Sequence, residues 1–140
     1  LKTSNPSSKD FQDKVLSDGK LLYEEVADSI DAWGRESMDG DYSNVAAVVG
    51  ATYPEISKKL RERLPHTYFL VPGYGAQGAG AQDLRHCFDK DGLGAVVNSS
   101  RGIIAAYKQE KYKSKFSEVQ FDLAAREAVK DMIEDISSVL

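Results

Sequence analysis

The sequence predicts an α/β fold built on a parallel sheet. Three observations carry that expectation. Amphipathic stretches with apolar residues every three or four positions alternate with short apolar runs. Those runs are continuous rather than alternating, as in strands covered by helices on both faces. Glycine, serine and asparagine gather where the runs end.

Taken in order, residues 8–35 place Phe11, Val15, Leu22, Val26, Ile30 and Trp33 on one stripe, with Gly19 as a break within the helix. "GRESMDGDYSN" reads as a polar loop, and "VAAVVGAT" (45–52) as a buried strand rich in β-branched residues. Pro54 sits at a first helical position and opens "PEISKKLRERL". "TYFLVP" (67–72) is the next strand, and "AQDLRHCFDKDG" a helix ended by Gly92. "GAVVNSS" is a further strand, followed at once by the short helix "RGIIAAYKQ". Residues 116–140 form a long closing helix with Phe116, Val119, Leu123, Ala124, Val129, Ile133 and Ile136 on its stripe. A further strand is expected before "TSNPSS", so that residues 1–140 form one segment of βα units without an interdomain linker. An open doubly wound sheet and four units of an eightfold βα barrel both satisfy the pattern.

The 140 residues are 41% hydrophobic and 29% charged, an ordinary globular composition. A net charge of -4 and a pI near 5.2 argue against a nucleic-acid or anionic-membrane surface. No apolar run approaches the roughly 20 residues that span a bilayer, and "LKTSNPSSKD" is no signal peptide. A single cysteine, Cys87, forms no internal disulfide. A cytoplasmic protein is the expectation. A start at Leu1 rather than methionine points to a truncated chain.

In parallel α/β folds ligands bind at the carboxyl ends of strands. The four candidate ends here read "TSNPSS", "GATYPE", "PGYGAQG" and "NSSRG". "NSSRG" joins a strand end to a helix start, where backbone N–H groups are free, and Arg101 adds a planar, permanent cation suited to phosphate. The glycines of "PGYGAQG" let backbone approach an anion, and Gln77 adds an amide. Other polar residues read as structural: His66 in a surface loop, Trp33 in helix packing, "KQEKYKSK" as a solvated loop. Asp131, Glu134 and Asp135 fall on the solvent side of the last helix, and His86 and Cys87 lie on different helix faces, unsuited to a shared metal. The chain carries binding equipment without an evident acid, base or nucleophile.

Together "KTSNPSS", "VVGATYPE", "FLVPGYGAQG" and "VVNSSRGI" resemble, in order and spacing, strand ends five to eight of orotidine 5'-phosphate decarboxylase, in its longer bacterial type. The resemblance implies the C-terminal half of a (β/α)8 TIM barrel. It implies an enzyme that converts orotidine 5'-monophosphate to UMP and carbon dioxide in pyrimidine biosynthesis, with no metal or organic cofactor. It assigns Ser4 to the pyrimidine amide edge and Gln77 to a bridge between phosphate and base. Arg101 with Ser100 falls at the phosphate, and Pro72 and Val49 at the base pocket. Tyr74 stands where related enzymes often carry a smaller apolar residue, and no role follows for it. The family's Asp-Lys-Asp-Asp network is absent from these residues, so the segment itself is expected to be inactive. Partners implied are a nucleotide and a second subunit of a homodimer, with no nucleic acid or membrane. Alternatives are another phosphate-binding βα-barrel enzyme or a stand-alone nucleotide-binding α/β module. Half a barrel leaves strand edges open, so the isolated segment is expected to be marginal, to aggregate or to dimerise.

Overall fold

The computed structural model describes every residue except Lys2, Ser4, Ala76 and Gln77. Pro6–Ser8 forms a 3-10 turn and leads into α1 (Lys9–Gln12), which is far shorter than the helix expected from residue 8 onward. Gly19, at φ +88°, turns the chain so that Val15 and Leu21 pair as an antiparallel bridge. The glycine therefore does more than interrupt a helix, because only a residue without Cβ adopts that backbone freely. The main helix is α2 (Leu22–Arg35). The Glu24 carboxylate caps its start by accepting from the Leu21 N–H at 2.9 Å, satisfying one orphan donor.

α2 buries Tyr23, Ala27, Ile30 and Gly34, whereas Trp33, expected in the packing, is 60% exposed. The following segment is not plain loop. β1 (Met38–Asp39) and β2 (Tyr42–Ser43) form a small antiparallel hairpin, with Gly40 at φ +61° in its two-residue turn.

The central sheet is parallel, with strand order β3 (Ala47–Val48), β4 (Phe69–Pro72), β5 (Ala95–Asn98). Ala47 pairs with Phe69, and Phe69 with Ala95. The β3–β4 ladder runs on to Ala51, whose N–H donates to the Pro72 carbonyl at 3.1 Å. No strand appears among the described residues before "TSNPSS", but the Leu1 main-chain nitrogen donates to the Val48 carbonyl on the outer edge of β3. Covered on one face only, the strands depart from the double burial expected of them. Ala47, Val49, Phe69 and Val71 are buried under the helices, while Val48, Leu70 and Val96 are exposed on the other face. The arc is that of an incomplete barrel: helices on its convex side, an open apolar interior.

α3 (Pro54–Arg63) follows β3 and packs against α2. After β4 and the glycine loop, α4 (Ala81–Leu84) passes into a 3-10 turn, Arg85–Cys87, and stops short of the expected helix to Gly92. The cause is visible in the hydrogen bonds. Arg61 of α3 donates to the Cys87 carbonyl from both Nε (3.1 Å) and Nη2 (2.9 Å). The Asp89 carboxylate meanwhile accepts from the Asp91 and Leu93 N–H groups, diverting the backbone into a turn.

β5 leads into α5 (Ser100–Ile104), a 3-10 turn Ala106–Lys108, and α6 (Glu110–Lys113). α6 lies inside "KQEKYKSK", and its Tyr112 is buried in a cluster with Ala106, Ala124 and Ala128. That aromatic anchor is why a charged stretch becomes a docked helix rather than a solvated loop. A further 3-10 turn, Glu118–Gln120, precedes α7 (Phe121–Ser137). The buried line of α7 runs through Ala124 and Ala128; Val119 just before it and Leu123 and Ile133 on it are exposed, contrary to the stripe read from periodicity.

Candidate functional site

The ends of β4 and β5 lie side by side because Pro72 pairs with Asn98. Between them opens a cleft of about 140 Å³ lined by Pro72, Gly73, Tyr74, Asn98, Ser99, Ser100 and Arg101. Three of the expected site residues, Pro72, Ser100 and Arg101, therefore meet. Val49 does not join them: it is fully buried in the core beneath the sheet. The expectations for Ser4 and Gln77 lie outside the described residues.

The turn into α5 is built by serines. Ser99 is buried and donates from Oγ to the Tyr74 carbonyl at 3.2 Å, crossing from one strand end to the next. Its own carbonyl accepts the Ile103 N–H at 3.0 Å, closing the first helical turn. Ser100 Oγ donates to Asn98 Oδ1 at 3.2 Å. A Cβ on Gly102 would lie 2.4 Å from Ser99 Oγ, so this glycine is what lets the buried serine reach across. The first N–H groups of α5 have no acceptor within the helix. The Arg101 guanidinium is exposed at the rim and forms no hydrogen bond or ion pair with any described residue. An arginine with no carboxylate partner beside free amides is an arrangement that accepts an anion.

Across the cleft the glycine loop turns on Gly73 (φ +114°), Gly75 (φ +74°) and Gly78 (φ +88°). The loop closes on itself, with the Gly75 N–H donating to the Ala79 carbonyl at 2.9 Å. Tyr74, between the first two glycines, donates its phenol to Asp135 Oδ2 of α7 at 2.6 Å. Burial first, then Asp135, pushes the Tyr74 phenol well above its ordinary range. Asp131, one turn earlier on α7, accepts from the Tyr112 phenol at 2.6 Å and pairs with Lys111 at 2.8 Å. The lysine, then the tyrosine, hold the Asp131 carboxyl below its usual range. Two of the three acidic residues expected merely to face solvent thus tie α7 to neighbouring elements. Sequence reasoning could have found the second of these links, since Tyr112 is the one aromatic residue in a basic stretch.

Away from the cleft, burial pushes the Cys87 thiol up, as suits an inert core cysteine. Among the described residues no group of three His, Cys, Asp or Glu side chains could hold a metal ion, and no helix is long and apolar enough to cross a membrane.

Geometry thus defines a class first: a segment of a parallel βα barrel whose last two strand ends form an anion-receptive cleft. The comparisons with known proteins narrow it, for the chain matches the C-terminal part of orotidine 5'-phosphate decarboxylases. It is 52% identical over 109 residues to the orotidine 5'-phosphate decarboxylase of Caldicellulosiruptor bescii, covering 77% of this chain and 35% of that protein. With the enzyme of the same name from Rhodopirellula baltica it shares 44% identity over 137 residues, 97% of this chain and 45% of the relative. Among solved structures, UMP synthase of Leishmania donovani superposes with a TM-score of 0.69 at 34% identity, over 98% of this chain and 26% of that one. A putative orotidine-monophosphate decarboxylase from Toxoplasma gondii gives a TM-score of 0.67 at 30% identity, over 92% of this chain and 49% of that one. No family model matches. The chain spans less than half the length of these curated relatives.

Proposed function

We propose that the whole protein decarboxylates orotidine 5'-monophosphate to UMP and carbon dioxide, and that this segment grips the nucleotide's phosphate and base. The observation that carries this reading is Arg101, without a partner among the described residues at the rim of a cleft between two strand-end loops, in a chain that matches the C-terminal part of enzymes of that name. Arg101 would form charge-assisted bonds to the phosphate, with Ser100 and the first amides of α5 beside it. Ser4 and Gln77 would hold the base and bridge it to the phosphate, and Pro72 would flank it.

The chemistry follows from where the charge goes. The carboxylate carbon–carbon bond breaks, carbon dioxide leaves, and the electron pair stays on the pyrimidine carbon. A lysine of the family's Asp-Lys-Asp-Asp network, outside these residues, would deliver a proton to that carbanion. The segment's part is binding energy: gripping the unreactive phosphate positions the reacting ring. We place the protein in the cytoplasm as a homodimer that binds neither nucleic acid nor membrane, in keeping with its net charge of -4. The open sheet face, with Val48, Leu70 and Val96 exposed, is the interior the remaining βα units would fill.

The test is Arg101→Ala in the whole protein, with UMP and uridine binding measured side by side. UMP affinity should fall by about 30-fold or more, from a charge-assisted contact worth about 2–5 kcal/mol, while uridine affinity holds. An equal fall for uridine would overturn the assignment.

A further inference from the structure

The glycine loop is held at its base by one side chain that the reading above leaves without a role. Tyr74 stands between Gly73 and Gly75, both at positive φ. Such glycines impose little preference of their own, so something else must fix the residue between them. Two contacts do. Its carbonyl accepts from the buried Ser99, the residue that opens α5. Its phenol bonds the Asp135 carboxylate on α7, 61 residues along the chain. At the Asp135 end, Ser138 Oγ bonds the Asp135 main-chain carbonyl at 2.6 Å, fixing the backbone of that last helical turn.

Tyr74 lines two cavities at once: the strand-end cleft of about 140 Å³ and an adjoining one of about 570 Å³ reaching Met132 of α7. Ser99 and Arg101 line both as well. Tyr74 is therefore part of the wall between the cleft and the space beside α7. Pairing of Pro72 with Asn98 holds the β4 strand end; beyond it, among the described residues, Tyr74 is tied to the β5 side by the Ser99 bond and to α7 by its phenol.

We propose that Tyr74 is a positioning residue: its bond to Asp135 fixes the base of the glycine loop against α7 and so sets the gap between the Pro72–Tyr74 backbone and Arg101 in which the anion sits. This rests on the phosphate reading above for its ligand, but the tether itself is independent of ligand. Neither residue touches reacting atoms; the pair acts through the Tyr74 backbone and Ser99.

The experiment compares Tyr74→Phe, Asp135→Ala and the double variant in the whole protein, by amide exchange without ligand and by UMP and uridine binding. Each single variant should speed exchange of the Gly75 amide, the one bonded to Ala79, by about 10-fold, as expected for removing one hydrogen bond to a charged acceptor. The double variant should be no faster than either single one, since all three lack the same bond. UMP affinity should fall about 3- to 10-fold with uridine affinity unchanged, a split that a merely structural residue would not produce. Should Tyr74→Phe fail to fold, Asp135→Ala decides alone, because it removes the acceptor and leaves the Tyr74 side chain unchanged. Unchanged Gly75 exchange, additive effects in the double variant, or equal losses for UMP and uridine would each overturn the proposal. If the unmutated protein binds no UMP, the phosphate reading fails, and the exchange result alone then decides the tether.

Discussion

Replacing Arg61 tests how the lower end of this sheet is assembled. The guanidinium is buried, donating five hydrogen bonds to four carbonyls: Leu64 and Thr67 at 2.9 Å, Gly94 at 2.8 Å, and Cys87 twice. Its central carbon, Cζ, lies 3.7 Å from the centre of the fully buried Phe69 ring. Burial pulls its pKa down, yet an arginine keeps its proton at any ordinary pH. In Arg61→Met the Leu64 and Gly94 carbonyls keep a second donor, the Thr67 and Phe69 amides. The Thr67 and Cys87 carbonyls keep none among the described residues. Two orphaned buried acceptors at about 1–3 kcal/mol each, partly offset by no longer burying a charge, leave a net loss of about 2–4 kcal/mol. Urea unfolding of the whole protein should then show a midpoint lower by about 1 M with an unchanged slope. Arg61→Lys should rescue little, because a single ammonium cannot reach carbonyls arrayed around a planar fork. If lysine restored stability to within about 1 kcal/mol, charge rather than fork geometry would be the cause, and the reasoning would fail.

Other outcomes follow from the same contacts. Gly102→Ala, which helix propensity alone would favour by up to about 1 kcal/mol, should instead lower stability and weaken UMP binding, because its Cβ would lie 2.4 Å from Ser99 Oγ; Gly102→Ala/Ser99→Ala should recover the stability, as read by urea unfolding. Asp28 is bound by Arg63 and by Lys20, at 3.0 Å from Lys20 Nζ, and the Arg63 guanidinium first of all pulls its carboxyl down to about 2. A depressed carboxyl stabilises the fold above its unfolded value, near 3.8, and loses that contribution as pH falls from about 4 towards 2. The stability difference between the unmutated protein and Asp28→Asn should therefore shrink over that interval, by no more than about 1 kcal/mol because the group is partly solvated. A constant difference would count against the ion pair. The Arg101→Ala and Tyr74→Phe outcomes above complete the set.

How much of this could be read before folding differs between fold and site. The parallel order was legible because it rests on where apolar runs fall, and the registry of β4 with β5 bears it out. Boundaries were not. The expected helix over residues 8–35 dissolves into a turn at Gly19, and the helix toward Gly92 stops at Cys87 because a distant arginine claims the Cys87 carbonyl it would need. In the cleft, Pro72, Ser100 and Arg101 could be named from motifs at strand ends. Ser99 and Tyr74 could not, because their partners lie 25 and 61 residues away.

By itself the sequence determined the class of fold, the edge of the sheet where polar and glycine residues gather, and the likeness to the C-terminal part of a decarboxylase. All three depend on composition and spacing along the chain, which no partner alters. Only the tertiary structure decided which face of each strand is covered, which side chain fills the core, and what holds the glycine loop. Val49 went into the core rather than to the cleft, and Asp135, exposed as expected, also became a tether to Tyr74. Those outcomes depend on which helix packs against which strand, and a residue's position along the chain does not contain that information.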